Sequence, residues 1–283
     1  MSLKHSLAQA LDLDPDAMQP IGGGDFADAY CVSTEQGQFF LKTHPNPPAN
    51  FFATEATGLT WLREAGFANT PKVIAVADEP PAFLMLQWVE PGGRARDDVQ
   101  FGRALATLHQ RSFDCFGRPD HATTGSLALP NPPTKTWCEF FADCRLRPLV
   151  RIAAERGALS KHTRTRIEAV ADRLDQWIDP ATPPSLVHGD LWAGNRIVDR
   201  DGHSWLIDPA AHGNHPYFDL AMMKLFGGFG PDIFAAYFEK IGYDPAFESL
   251  VPLMQLAPLT VHAIKFGGHY ASATEQALSA LGH

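Results

Sequence analysis

The chain has 283 residues, 45% of them hydrophobic and 19% charged, a balance that suits one large domain or two lobes and argues against extended disorder. Its 32 acidic residues outnumber 23 basic ones, for a formal net charge of −9; a surface that tracks nucleic-acid phosphates is not expected, and a cationic partner fits better. No apolar run reaches the ~18 residues of a membrane span. The opening Met-Ser-Leu-Lys-His-Ser-Leu-Ala has no signal-peptide core, and Cys31, Cys115, Cys138 and Cys144 show no metal-ligand spacing, so reduced thiols in a cytoplasmic protein are expected.

Gly22-Gly23-Gly24 comes first, just before a predicted strand at 28–34. A second strand at 38–42 follows the turn Glu35-Gln36-Gly37. Residues 49–65 carry Phe52, Leu59 and Leu62 at helical spacing and stop at Gly66. Strands are predicted at 72–77 and 82–89, split by the turn Asp78-Glu79-Pro80-Pro81. After Pro91-Gly92-Gly93 the pattern becomes helical, over 99–109, 134–155, 161–178, 218–226, 232–241 and from 247 onward, broken at Gly267-Gly268. One strand-rich island interrupts the helices, at 185–187, 196–198 and 205–207, with the turn Asp199-Arg200-Asp201-Gly202 inside it.

That island holds the most specific chemistry. In His188-Gly189-Asp190-Leu191-Trp192-Ala193-Gly194-Asn195 an Asn follows an Asp by five positions, and Ile207-Asp208-Pro209 comes next. This is the spacing of a phosphoryl-transfer loop, in which the Asp orients or deprotonates the attacking hydroxyl and the Asn holds a metal. Asp208, at a strand end, fits the second ligand of a Mg²⁺ ion, which favours hard oxygen donors. Gly22, Gly23 and Gly24 allow backbone N–H groups to approach a phosphate, although no Walker lysine follows. Lys42 ends its strand where a phosphate-gripping lysine belongs, and a carboxylate partner is expected on the next helix. Glu55, one turn from Phe52 and Leu59, is the first candidate for it, and Glu64 the second. A rival metal-hydrolase site would draw on His188, Asp190, Asp208, His212 and His215, but it leaves Gly22 to Gly24, Lys42 and Glu55 without a task.

H-G-D-L-W-x-G-N, I-D-P-A, Asp219-Leu220-Ala221 and Leu225-Phe226-Gly227-Gly228-Phe229 together closely resemble the fructosamine kinase (ketosamine kinase) family, relatives of the aminoglycoside phosphotransferases and choline kinases. Gly22-Gly23-Gly24, Glu55-Ala56 with Gly58-Leu59, Phe140-Phe141 with Arg145-Leu146-Arg147-Pro148, Val261-His262 and Phe266-Gly267-Gly268 extend the resemblance to nearly the whole chain. It implies an α+β, bilobal protein-kinase-like fold, with a small β-rich lobe over residues 1–90 and a larger, mainly helical lobe over 91–283. A hinge at Gln87, Trp88 and Val89 would meet adenine through its backbone. The implied activity is transfer of phosphate from ATP, with Mg²⁺, to the third carbon's hydroxyl of a ketosamine, free or protein-bound; the product then falls apart and releases the amine. Two positions depart from the family: Asp25 stands where some members carry cysteine, and Tyr217 where an acidic residue is expected.

Within that frame Gly22 to Gly24 cover the phosphates, Lys42 holds them, Glu55 fixes Lys42, and Asn195 and Asp208 hold the metal. Asp190 is the expected base, and Trp192 the residue that faces the sugar or its amine. Asp219 is read as a brace for the catalytic loop, and His188 as a residue that fixes it. Two further readings stand beside this one: a kinase for another small acceptor, such as an aminoglycoside or amino alcohol, and a nucleotide-binding scaffold without catalysis.

Overall fold

The computed structural model describes residues 3–22, 27–123, 125 and 127–282. Two compact units divide it, one of Met1–Asp97 with Gly194–Ala210, the other of Asp98–Ala193 with Ala211–His283. The division expected after residue 90 differs, because residues 91–97 and 194–210 go with the first unit.

The chain begins with helix α1 (Leu3–Ala10) and strands β1 (Met18–Ile21), β2 (Asp28–Thr34) and β3 (Gly37–Thr43). Helix α2 (Phe51–Glu64) and strands β4 (Val73–Ala77) and β5 (Phe83–Gln87) follow. The five strands form one antiparallel sheet in the order β1-β2-β3-β5-β4. Alternation along the strands splits their side chains between two faces. Leu41, Phe83 and Met85 pack with Leu7 and Ala8 of α1, while Leu84 and Leu86 pack with Phe52, Ala56 and Leu59 of α2. Neither α1 nor β1 carries a strong sequence signal, and neither is among the expected elements. Because β1 pairs with β2, the glycine-rich segment joins two paired strands.

The remaining elements are α3 (Asp98–His109), α4 (Trp137–Phe141), α5 (Arg147–Glu155), α6 (Lys161–Ala171), β6 (Ser185–Val187), β7 (Arg196–Val198), β8 (Ser204–Leu206), β9 (His212–Asn214), α7 (Tyr217–Phe226), α8 (Pro231–Ile241), α9 (Phe247–Phe266) and α10 (His269–Ala280). The hairpin β7–β8 belongs to the first unit and is stitched to it by main-chain and side-chain hydrogen bonds. Gly92 N–H donates to Val198 O at 3.1 Å, Arg96 N–H to Gly202 O at 2.9 Å, and Leu206 N–H to Asn69 O at 2.9 Å. Asp97 accepts from both the backbone N–H and the hydroxyl of Ser204, each at 2.6 Å. Gly93 explains the Pro-Gly-Gly sequence here: a Cβ on it would lie 2.1 Å from Asp199 O, so only glycine lets the two segments run this close.

The second unit is helical around a core that includes Trp137, Phe140, Phe141 and Tyr237, all fully buried. The helix expected over 134–155 begins only at Trp137, capped by Thr136, and runs to Glu155 with a π-helical stretch at Ala142–Leu146. That expected over 161–178 ends at Ala171 and continues as a 3₁₀ turn at Leu174–Gln176. The short pair β6–β9 completes the unit; β9 is not among the expected strands. No helix among the described residues is long and apolar enough to cross a membrane.

Candidate active site

Strand periodicity puts Lys42 on the face of the sheet that α2 covers, and helical periodicity puts Glu55 on the inner face of α2 beside Phe52, Ala56 and Leu59. The two meet as a buried pair. Lys42 Nζ donates to Glu55 Oε1 and Oε2, each at 3.0 Å, and to Asp208 Oδ1 at 2.8 Å. All three ammonium protons are thereby used. Burial works against the Lys42 ammonium, yet the Glu55 and Asp208 carboxylates outweigh it and hold its pKa above the ordinary lysine value. Burial raises the Glu55 carboxyl, with the Lys42 charge opposing the shift. The loop Asp78–Pro81 fixes where α2 begins, since Asp78 accepts from the backbone N–H groups of Phe52 and Ala53 at 2.9 and 3.1 Å. Glu64, the second candidate, lies in the last turn of α2 and makes no pair with Lys42.

Asp208 differs from its two partners in exposure. Its side chain is 41% exposed, against 11% for Lys42 and 10% for Glu55. Its φ of +53° places it in the left-handed region, which aspartate tolerates better than most residues. Asn195 is buried, and its carbonyl accepts from Ile207 N–H at 3.1 Å, so the backbone ties the segment bearing Asn195 to the residue before Asp208. A carboxamide and a part-exposed carboxylate are hard oxygen donors and suit Mg²⁺.

The His188–Trp192 loop lies in the second unit, where Asp219 holds it from the first turn of α7. Asp219 is fully buried and accepts from His188 N–H at 2.7 Å and Gly189 N–H at 2.9 Å. Burial alone would raise its pKa, but His109 Nε2, at 3.2 Å from Oδ2, and these backbone donors lower it below the usual carboxylate value. His188 is buried, and its Nδ1 accepts from Asp190 N–H at 3.3 Å. Gly189 has φ +82°, a conformation that favours glycine between His and Asp. Gly228, with φ +85°, explains part of the L-F-G-G segment: a Cβ there would lie 2.4 Å from Ala193 Cβ. Trp192 is 41% exposed, so it is not a core tryptophan. Its ring meets the edge of Phe226, at 6.2 Å between centroids, and Phe226 in turn lies 4.8 Å from His262, which is 4.9 Å from Tyr270.

Gly23, Gly24 and Asp25 lie outside the described residues. Gly22 follows β1, and among the described residues nothing lies within 4 Å of where a Cβ on it would stand. Gln87 ends β5 opposite Phe39, Val89 is buried, and Trp88 Nε1 donates to Glu90 Oε2 at 2.9 Å. An open groove beside these residues is lined by Trp88, Val89, Glu90, Asp199 and Trp205 and includes none of Lys42, Glu55 or Asp208. His188, Asp190, His212 and His215 do not converge on a common ion position. His215 is held neutral by burial, its pKa pushed down to about 4, and Tyr217 N–H donates to its Nδ1 at 3.1 Å. Tyr217, the second departure from the family, is likewise packed: its hydroxyl donates to Asp244 at 3.0 Å and its ring meets Phe247 edge-on. The sequence reading gave no role to His109 or Tyr237. No local pattern marks either, because what makes them matter is the contact of α3 with α8 and α7.

A lysine clamped by a helix glutamate and a strand-end aspartate on a five-stranded antiparallel sheet, with a braced His-Gly-Asp loop in a helical unit, defines a kinase of the protein-kinase-like class. The choline kinase LicA of Streptococcus pneumoniae shares the fold, with a TM-score of 0.63 at 15% identity over 99% of this chain and 97% of that one. Within that class the chain belongs to the fructosamine kinase family, whose pattern it matches over residues 2–282. It is 33% identical over 261 residues to a protein of Enterococcus faecium named a probable ketoamine kinase, covering 92% of this chain and 93% of that protein. A crystal structure from Thermobifida fusca, described as a candidate fructosamine-3-kinase, superposes with a TM-score of 0.86 at 34% identity, covering 93% of this chain and 92% of that one.

Proposed function

We propose that this enzyme phosphorylates the sugar part of ketosamines, fructosamine or ribulosamine adducts, at the 3-hydroxyl with ATP as donor, and so opens the way to release of the amine. The observation that carries the kinase chemistry is the three-way contact of Lys42 with Glu55 and Asp208; family membership supports the acceptor. In this reading Lys42 holds the α- and β-phosphates and Glu55 fixes its direction. Asn195 and Asp208 would hold Mg²⁺, which, when bound, neutralises charge on the β- and γ-phosphates. Gly22 to Gly24 cover the phosphates, and the backbone at Gln87 to Val89 receives the adenine.

Asp190 orients the acceptor hydroxyl and takes its proton, and the clamp by Asp219 and His188 limits how far Asp190 can drift. Trp192 and the aromatic row behind it offer a flat surface to the sugar and a π-face to its cationic amine. The acidic balance of the chain suits that charge. Release of ADP from Mg-ATP is to be measured with ribulose- and fructose-lysine adducts, and with an aminoglycoside and choline as controls. Turnover on a ketosamine but on neither control is the expected result. Turnover only on a control would keep the kinase chemistry and overturn the acceptor; ATP binding with no turnover on any acceptor would favour the non-catalytic scaffold.

A further inference from the structure

The hydrogen-bond chain that braces the catalytic loop does not stop at Asp219. His109, the last residue of α3, presents Nε2 to Asp219 Oδ2 at 3.2 Å and Nδ1 to the Tyr237 hydroxyl of α8 at 2.9 Å. His109 is 5% exposed, while Tyr237 and Asp219 are fully buried, so both contacts are made away from bulk water. Helices α3 and α8 come close enough for this because Gly102 has no side chain; a Cβ on it would lie 2.3 Å from Ile233 O.

The proton positions follow from counting donors and acceptors. Asp219 is ionised and can only accept, so the ring atom facing it, Nε2, carries hydrogen. Burial raises the Tyr237 pKa, so the phenol keeps its proton and needs an acceptor. Among the described residues the Tyr237 hydroxyl has no hydrogen-bond partner other than His109 Nδ1. A doubly protonated His109 would offer it an N–H and leave the phenol proton with nowhere to go. The neutral Nε2–H form is the arrangement that satisfies every group.

We propose that Tyr237 is a positioning residue for phosphoryl transfer: by donating to His109 Nδ1 it anchors the ring, so that Nε2–H stays aimed at Asp219, which in turn holds the His188–Gly189 backbone next to Asp190. The catalytic part of this inference rests on the reading of Asp190 as the base; the tautomer and the clamp do not. Loss of the phenol leaves Nδ1 buried without its partner while Asp219 still requires hydrogen on Nε2; the ring loses its second anchor and is free to tilt, which loosens its hold on Asp219 and the loop.

The test is Tyr237→Phe, which keeps the ring and removes the donor. Three readouts are taken. Long-range ¹H–¹⁵N spectra of the imidazoles, with the His109 signals identified by their loss in His109→Gln, report the tautomer directly. Amide exchange at His188 and Gly189 reports the clamp. Steady-state kinetics separate kcat from KM. The expected results are Nε2–H at His109 in both proteins, a shifted Nδ1 resonance in Tyr237→Phe as its hydrogen bond is lost, and about tenfold faster exchange of the two amides. The kcat should fall about fivefold to tenfold, with the KM for ATP within about twofold. A wild-type His109 protonated at Nδ1, or a variant with unchanged exchange and a kcat within twofold of wild type, would overturn the proposal. A wild type with no ketosamine turnover would refute the functional reading instead, while the tautomer and exchange data still decide whether Tyr237 holds the loop.

Discussion

Removing Lys42 while leaving Glu55 in place separates the two roles of this pair. Lys42→Met keeps most of the side-chain volume but deprives a carboxylate with a 10% exposed side chain of its counter-charge. Breaking a buried ion pair from one side costs about 3–5 kcal/mol, because the remaining charge is desolvated without compensation. Asp208 adds little to that cost, since its side chain is 41% exposed and reaches water. The expected loss from Lys42→Met is therefore about 3 kcal/mol, read from urea unfolding at pH 7.5. Lys42→Met with Glu55→Gln replaces the orphaned charge by a neutral amide and should recover about 1–2 kcal/mol of it. Turnover should not recover: both variants should fall by at least about 100-fold in kcat/KM, the scale for loss of a charged group that stabilises transferring phosphate. Single and double variants that unfold together with the wild type, within about 0.5 kcal/mol, would refute the claim that this pair is buried and coupled. A double variant that regains activity would remove Lys42 from phosphate binding.

Three other perturbations probe separate parts of the site. Asp190→Asn should abolish turnover and leave nucleotide affinity, measured by calorimetry, within about threefold; retained activity would sink the assignment of the base. Gly228→Ala meets both a φ of +85° and a 2.4 Å approach to Ala193 Cβ. It should cost at least ~1–2 kcal/mol from the backbone alone and lower kcat by displacing the loop that carries Trp192; an unchanged melting temperature would refute both the backbone strain and the close approach to Ala193. His215 is held near pKa 4 against an ordinary 6.5, so between those values the unfolded chain binds more protons than the folded one. Its share of stability is complete above pH 6.5 and is lost as pH falls toward 4, by about 3 kcal/mol in all. Unfolding free energies at pH 7.5 and 4.5 should therefore differ by about 2–3 kcal/mol less in His215→Asn than in the wild type, and an identical pH response would refute it.

Much of the site was legible in the chain because its parts obey local rules. Strand alternation placed Lys42 on one face, helical spacing placed Glu55 on the inner face of α2, and the five-residue step from Asp190 to Asn195 is a property of the loop itself. The strands at 28–34, 185–187 and 196–198 match the structure in their bounds, and most other elements do so within a residue or two, because their apolar periods and turn residues agree with their packing. Helix α1 and strands β1 and β9 escaped because β1 is four residues long and contains Pro20, β9 is three residues long and contains Gly213, and the apolar pattern of α1 is short. Such segments take their structure from what they pair with, not from their own preferences.

Only the tertiary structure decided which segments share a unit. The sequence put Asn195 and Asp208 after a long run of helix, while Asp97, Asn69 and the bare α-carbon of Gly93 draw β7 and β8 into the unit of Lys42. Spacing could not reveal this, because the hydrogen bonds that do it join residues more than a hundred positions apart. The same holds for the chain Tyr237–His109–Asp219. The sequence by itself set which residue types are present and the faces on which Lys42 and Glu55 lie; long-range contact among buried donors and acceptors fixed which of them touch.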